Sequence, residues 1–237
     1  MIEEYLNYWK NYLKMNKEIS VVIQSRLGSQ RVPKKMLKPF AGTTLVDILL
    51  SKVSKLKSIT PNQVYFCAYE DELLNVGDEY PINIIKRSKE SANEEKDLTI
   101  LYEWYKKIPT KYLVMISACN PLLQVETIDG FIKQFSNSDN EGAISVFETK
   151  NYFWDLNNKM LNKWPEGFTS MNTKFVEPTK MAAHCMYGSR VDIIGNGNWV
   201  TEKLPYEPEL ITIPEIEAFD IDESWQFKIA EILYEKL

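Results

Sequence analysis

Histidine is almost missing from the chain: His184 stands alone among 237 residues. That excludes a zinc centre built on paired histidines. Cysteine is scarce as well. Cys67, Cys119 and Cys185 are odd in number and share no metal-ligand spacing, so neither a disulfide scaffold nor a zinc site is expected, and a reduced cytoplasmic compartment suits the chain. No apolar run approaches the roughly 20 residues needed to cross a bilayer. The charged residues scattered through Met1–Lys17 do not make a signal peptide. Positive charge has no excess: 28 Lys and Arg face 33 Asp and Glu, a net charge of −5 that argues against a nucleic-acid-coated protein. The Gly-x-Ser-x-Gly elbow, the Gly-Lys-Ser/Thr phosphate loop and the Gly-x-Gly-x-x-Gly dinucleotide fingerprint are all absent.

What remains is an ordinary soluble composition, 44% hydrophobic and 26% charged, with no repeat and no Gly/Ser-rich linker. Residues 1–18 read as a leading helix, with Ile2, Tyr5, Leu6, Trp9, Tyr12 and Leu13 on one face. Residues 19–237 read as a single domain. Short β-branched runs at Ile19–Ile23, Val64–Ala68, Ile82–Ile85, Tyr112–Ile116, Ala143–Phe147, Ala182–Tyr187 and Leu210–Ile213 predict strands. Helices are expected at Thr44–Lys55, Asp71–Val76, Leu98–Lys107, Val125–Phe135, Ser189–Ile194 and Ser224–Lys236. Such alternation predicts an α/β fold, a mostly parallel sheet with helices on both faces and ligands at the carboxyl ends of its strands.

Residues 148–178 break the pattern. Tyr152, Phe153, Trp154, Trp164, Phe168 and Phe175 crowd there without a period, as expected of a lid or a dimerisation arm. The rings could equally fold back on their own domain.

The loop after the first strand carries the most chemistry. From Ile19 to Val46 there are five cations and no acid. Gly28 and Ser29 can bring backbone N–H groups to an anion, and Arg26, Arg31 and Lys35 can add charge-assisted hydrogen bonds to phosphates. A solvated basic loop would look the same by charge alone. Near the other end, Asp220 and Asp222 are two residues apart, so an extended backbone points both carboxylates to one side, where a hard cation such as Mg²⁺ would fit. The alternative is an aspartate capping the helix at Ser224.

The pattern Arg26-x-Gly28-Ser29-x-Arg31-x-Pro33-x-Lys35 after a first strand resembles the acylneuraminate cytidylyltransferase family, which includes the synthetases of CMP-sialic acid and CMP-KDO and spore-coat polysaccharide homologues. Ser117–Leu122 resembles that family's turn after a central strand, Ile85–Ser88 its Arg-containing turn, and Ala218–Ser224 its C-terminal Asp-x-Asp element. The resemblance implies a three-layer Rossmann-like nucleotidyltransferase fold with an inserted arm, and a homodimer. It implies transfer from CTP, with Mg²⁺, to a small anionic acceptor such as an acidic sugar, with release of pyrophosphate for surface polysaccharide or glycoconjugate synthesis. Arg26, Leu27, Gly28, Ser29, Gln30, Lys35, Arg87 and Asn120 would bind the nucleotide, with Arg26, Arg31 and Lys35 stabilising the triphosphate. Asp220 and Asp222 would hold the metal, and Lys180 and His184 would meet the acceptor. For these last two, a surface lysine and a packed core histidine are the alternatives.

Some positions depart from the family. Gln30 replaces a Lys and Met36 an Asn of the sialate branch, whereas Cys119 replaces an Asp of the KDO branch. A glycosyltransferase using Asp220 and Asp222, or a nucleotide-binding homologue without catalysis, are the competing functions.

Overall fold

The backbone alternation has its physical cause in two apolar clusters, one on each face of a single sheet. In the computed structural model, which describes residues 17–93, 95–198 and 207–236, strand β1 (Ile19–Gln24) sends Val21 and Ile23 into the larger cluster and Val22 into the smaller one. A strand covered on both sides has no reason to alternate with polar residues, and so it reads as an unbroken apolar run. The expected leading helix lies outside the described residues.

Helix α1 (Leu45–Val53) follows, then β2 (Val64–Ala68), α2 (Asp71–Gly77), β3 (Asn83–Lys86) and the single turn α3 (Leu98–Leu101). Next come β4 (Tyr112–Ile116), α4 (Val125–Asn137), β5 (Gly142–Thr149), β6 (Thr179–Arg190), α5 (Val191–Gly195), β7 (Glu209–Thr212) and α6 (Ser224–Tyr234). Among the described residues seven strands lie in the order β3-β2-β1-β4-β6-β5-β7. All the pairings are parallel except those of β6, which runs antiparallel to both β4 and β5. Chain order reverses between β1 and β4, so the loops leaving those two strands flank one crevice at their carboxyl ends.

Three local expectations change. The helix expected over Leu98–Lys107 stops after Leu101 and continues as a 3₁₀ turn, Glu103–Lys107, which tightens the chain so that Trp104 drops fully into the smaller cluster. Strand β6 runs on through Arg190, because its pairing with β4 reaches Tyr112, and the next helix starts at Val191 instead of Ser189. Asp220 and Asp222 lie in an extended connection rather than a strand, held by a single backbone bond from Ile221 N–H to the Cys119 carbonyl at 3.0 Å.

The aromatic excursion spans the connection between the antiparallel pair β5 and β6. Its rings pack chiefly on one another: Tyr152 lies 5.1 Å from Trp164, and Phe168 stacks on Phe175 at 3.9 Å. Trp154, Leu156, Leu161 and Met171 remain exposed. Among the described residues no helix is long and apolar enough to cross a membrane.

Candidate active site

The basic loop is held down by its apolar members. Val32, Met36 and Phe40 are buried in the larger cluster, and of the cations between them Lys35 is buried and lines the crevice while Lys34 and Lys38 stay exposed outside it. Ser25 extends the β1–β2 ladder by one bond, its N–H to the Cys67 carbonyl at 3.0 Å. The turn that follows is closed by Val32 N–H to Ser29 Oγ at 3.3 Å and Lys35 N–H to the Val32 carbonyl at 3.1 Å. The left-handed residue is Lys34, at φ +53°, directly after Pro33. It reverses the chain so that Lys35 points inward. Gly28 is exposed and has no positive φ, and an added Cβ would meet only Arg26 Nη1 at 3.8 Å, an ordinary contact.

The C-terminal connection is laced to the turn after β4. Asn120 Nδ2 donates to the Ala218 carbonyl at 3.3 Å, and Gln124 N–H donates to Glu217 Oε2 at 2.8 Å. Lys52 spans the turn from α1, donating to the carbonyls of Pro121 and Leu123, both at 2.6 Å. Burial brings Lys52 down to about 8, although Glu217 opposes the shift. With this frame in place, Lys35 Nζ donates to the Ile221 carbonyl and stands 3.9 Å from Asp222 Oδ1. Arg31 Nη2 meets the same oxygen at 2.7 Å. Asp222 does not cap helix α6. Glu223 and Gln226 form that capping box, and Gln226 Oε1 accepts from Asp222 N–H at 2.8 Å, so the Asp222 carboxylate is left to the cations.

The result is a cavity of about 370 Å³. Arg26, Ser29, Gln30, Arg31 and Lys35 line it from the loop, Cys119 from the turn after β4, and Asp222 from the C-terminal connection. The ion pair of Arg31 with Asp222 is about half exposed on both sides. Such pairs contribute about 0–1 kcal/mol, so an incoming polyanion can displace the carboxylate at little cost. A hollow of about 520 Å³ lies at the amino end of β1, lined by Lys17, Lys57 and Asp129, away from these groups.

Unsatisfied polar atoms mark the same end of the sheet. Ser25 Oγ, Glu70 Oε2, Asn120 Oδ1 and Asp220 Oδ1 are buried without a hydrogen-bond partner; among the described residues the one other such atom is Glu209 Oε2. Buried orphans are rare in folded chains and each calls for a reason, a bound ion or a catalytic role among them. Burial, and next the neighbouring Asp222, hold the Asp220 carboxyl above the usual carboxylate range, while Lys35 and His184 oppose that shift. Two oxygen-donor carboxylates, one with an idle oxygen, fit Mg²⁺. Among the described residues no three His, Cys, Asp or Glu side chains converge, so the pair would leave most coordination positions to phosphate oxygens and water.

Not every expected residue reaches the cavity. Arg87 is buried away from it: Nε donates to Ser91 Oγ at 2.9 Å, Nη2 to the Leu101 carbonyl at 3.2 Å and Nη1 to the Ser25 carbonyl at 3.5 Å, which makes it a brace beneath the loop. Leu27 packs on the core and gives its N–H to Glu70 Oε1 at 2.9 Å. Asn120 sits below the cavity floor, and Lys180 is exposed, paired in register with Glu148. His184 is an exposed residue at φ +55°, not a core histidine. A left-handed non-glycine costs about 1–2 kcal/mol, the kind of strain a fold retains at working sites. Burial pushes the Cys119 thiol up and takes Cys185 to about 11, so neither is a reactive thiolate.

Glu70, Glu217 and Tyr187 escaped the sequence reading. None carries a local motif of its own, and only its contact across the fold reveals a role.

Several solved structures share this fold at low sequence identity. A CMP-2-keto-3-deoxy-manno-octonic acid synthetase complexed with CTP is 12% identical, with a TM-score of 0.68 over 92% of this chain and 99% of that one. A 4-diphosphocytidyl-2C-methyl-D-erythritol synthase from Anaerococcus prevotii is 13% identical, with a TM-score of 0.65 over 94% and 98%. A cytidylyltransferase from Leptospira borgpetersenii serovar Hardjo-bovis is 14% identical, with a TM-score of 0.59 over 93% and 88%. No curated protein sequence matches the chain. The sequence profile of the cytidylyltransferases, however, matches residues 20–184, from the first strand through the basic loop to His184. That stretch is more than half of the chain, which therefore belongs to the cytidylyltransferase family of CTP-using nucleotidyltransferases.

Proposed function

We propose that the chain transfers the cytidylyl group of CTP to an acidic sugar of the nonulosonic or KDO type, in a Mg²⁺-dependent reaction that releases pyrophosphate. The observation that carries this reading is the meeting of Arg31 and Lys35 with Asp222 in one cavity, with Asp220 outside its lining but close enough to feel the charges of Asp222 and Lys35. Arg26, Arg31 and Lys35 would take the triphosphate, with the Arg31–Asp222 pair opening as phosphate oxygens replace the carboxylate. Asp220 and Asp222 would then hold Mg²⁺, which when bound supplies charge neutralisation at the phosphate oxygens. An acceptor oxygen forms a bond to the α-phosphorus as the bond to pyrophosphate breaks, and the hydroxyl proton passes to water. The side chains contribute position and electrostatics. His184, exposed and near Asp220, would meet the acceptor. A CMP-sugar made this way would feed surface polysaccharide or glycoconjugate synthesis.

The exposed faces of Trp154, Leu156 and Leu161 suit a second copy of the chain, as in a homodimer joined through residues 148–178.

Pyrophosphate release from CTP tests the reading, with KDO, N-acetylneuraminate and a methylerythritol phosphate as acceptors, each with Mg²⁺ and with EDTA. Release with a sugar acid, abolished by EDTA, supports it. Release with methylerythritol phosphate alone, or turnover in EDTA, overturns it.

A further inference from the structure

The antiparallel pair β5–β6 contains a wide bulge. Its register passes from Val146 opposite Ala182 to Ile144 opposite Tyr187, so Ser145 alone faces residues 183–186. The buried Ser145 hydroxyl accepts from Met186 N–H and donates to the Met186 carbonyl, both at 3.0 Å, and the Cys185 carbonyl accepts from Ser117 N–H at 2.9 Å. Held from both flanking strands, the bulge buries Ala183, Cys185 and Met186 and turns His184 outward. Bulges beside active sites commonly re-aim a side chain in this way.

The outward ring is not left free. His184 Nδ1 lies 2.9 Å from the phenol oxygen of Tyr187, three residues on. Tyr187 is half-buried and in register with Met115 of β4 and Ile144 of β5, so its ring is fixed by the sheet. Among the described residues His184 Nδ1 is the one hydrogen-bond partner of Tyr187 Oη. The phenol has a single hydrogen to place, and Nδ1 is the acceptor within reach. With the phenol hydrogen donated to Nδ1, a neutral imidazole carries its own hydrogen on Nε2.

We propose that Tyr187 is a positioning residue that locks His184 as an Nε2–H donor, so that the ring offers a hydrogen to a carboxylate or hydroxyl oxygen of the acceptor. The functional half rests on the reading that His184 meets the acceptor, and the tautomer does not. An unlocked ring would divide its hydrogen between two nitrogens and rotate freely, presenting the donor only part of the time.

Because the chain has one histidine, ¹⁵N-histidine labelling of the full-length protein gives a single imidazole. Long-range ¹H–¹⁵N correlation above the ordinary imidazole range reads the tautomer without any ligand. The expected result is Nε2–H in the parent and both tautomers in Tyr187→Phe, which keeps the ring and removes only the hydroxyl. Nδ1–H in the parent, or an unchanged spectrum in the variant, overturns the lock. Kinetics then use the sugar acid that supports pyrophosphate release. Tyr187→Phe should raise the KM for that acid about 3- to 10-fold, the scale of one neutral hydrogen bond, with kcat and the KM for CTP unchanged. An unchanged acceptor KM, or a fall confined to kcat, overturns the positioning role. His184→Ala with an unmoved acceptor KM overturns the acceptor reading itself, and the tautomer result separates the two failures.

Discussion

Replacing Asp220 with Asn should make the ligand-free protein more stable and remove its activity in one step. The Asp220 carboxylate keeps one oxygen without a partner and lies near Asp222. Burial and then Asp222 raise its pKa above the ordinary value of an aspartate, about 3.8. An acid whose folded pKa is raised binds its proton more tightly when folded. The parent therefore loses stability as pH rises from about 3.8 through the raised value, and at neutral pH it bears the whole cost. Asparagine does not titrate and escapes it. An orphaned buried acceptor costs about 1–3 kcal/mol, and more when charged. Asp220 keeps some solvent contact, and Lys35 and His184 offset part of the penalty, so a gain of about 1 kcal/mol is the reasonable scale. In a chain of this length that corresponds to a rise of about 2–4 °C in Tm. Urea melts in EDTA at pH 7.5 and pH 4.5 measure it: the variant should lead at pH 7.5, and its lead should shrink at pH 4.5. Pyrophosphate release should fall by about 100-fold or more, since under the proposed function an oxygen that would hold Mg²⁺ is gone. A variant less stable than the parent at pH 7.5, or one with the same advantage at both pH values, would refute the claim that Asp220 is held in waiting for a ligand.

Lys35→Met should weaken CTP binding at least tenfold and cost about 1–3 kcal/mol of stability, because the Ile221 carbonyl loses its buried donor. Calorimetric CTP titration and urea melts check both parts. Arg31→Ala should weaken CTP binding with a marked ionic-strength dependence and yet cost under about 1 kcal/mol, since its pair with Asp222 is half exposed; equal stability losses in the two variants would contradict this. Ser145→Ala removes two hydrogen bonds to the Met186 backbone in a buried site and should destabilise by about 1–3 kcal/mol with a loss of acceptor affinity larger than that of CTP affinity. Light scattering should give about 55 kDa, twice the 27.6 kDa chain, and Trp154→Ala should lower that mass; a fully active 27.6 kDa species would rule out the shared arm.

Much of the sheet was legible because its signal is local. Runs such as Val64–Ala68 and Tyr112–Ile116 are buried on both faces whatever their neighbours are, and each strand came out where its run predicted, within a residue or two at most ends. Strand β6 is the exception: its true extent, Thr179–Arg190, depends on partners in β4 and β5 that no local run records. The loop cations were legible from composition, since five cations without an acid in an acidic chain demand a reason. Their division of labour was not. Lys34, not Gly28, takes the left-handed turn, and Arg87 faces backbone carbonyls beneath the loop.

The amino-acid sequence by itself determined the α/β alternation, the basic loop after the first strand and the two aspartates near the end, because propensity, periodicity and local charge act over a few residues. Only the tertiary structure decided that Arg31 meets Asp222, 191 positions away, that β6 runs against its neighbours, and that Ser145 props a bulge which turns His184 onto Tyr187. Those facts come from register and from partners distant along the chain. A hydrogen bond across a sheet leaves no periodic trace in the strand that makes it, so the site's cations and carboxylates could be read off the chain while their pairing had to wait for the fold.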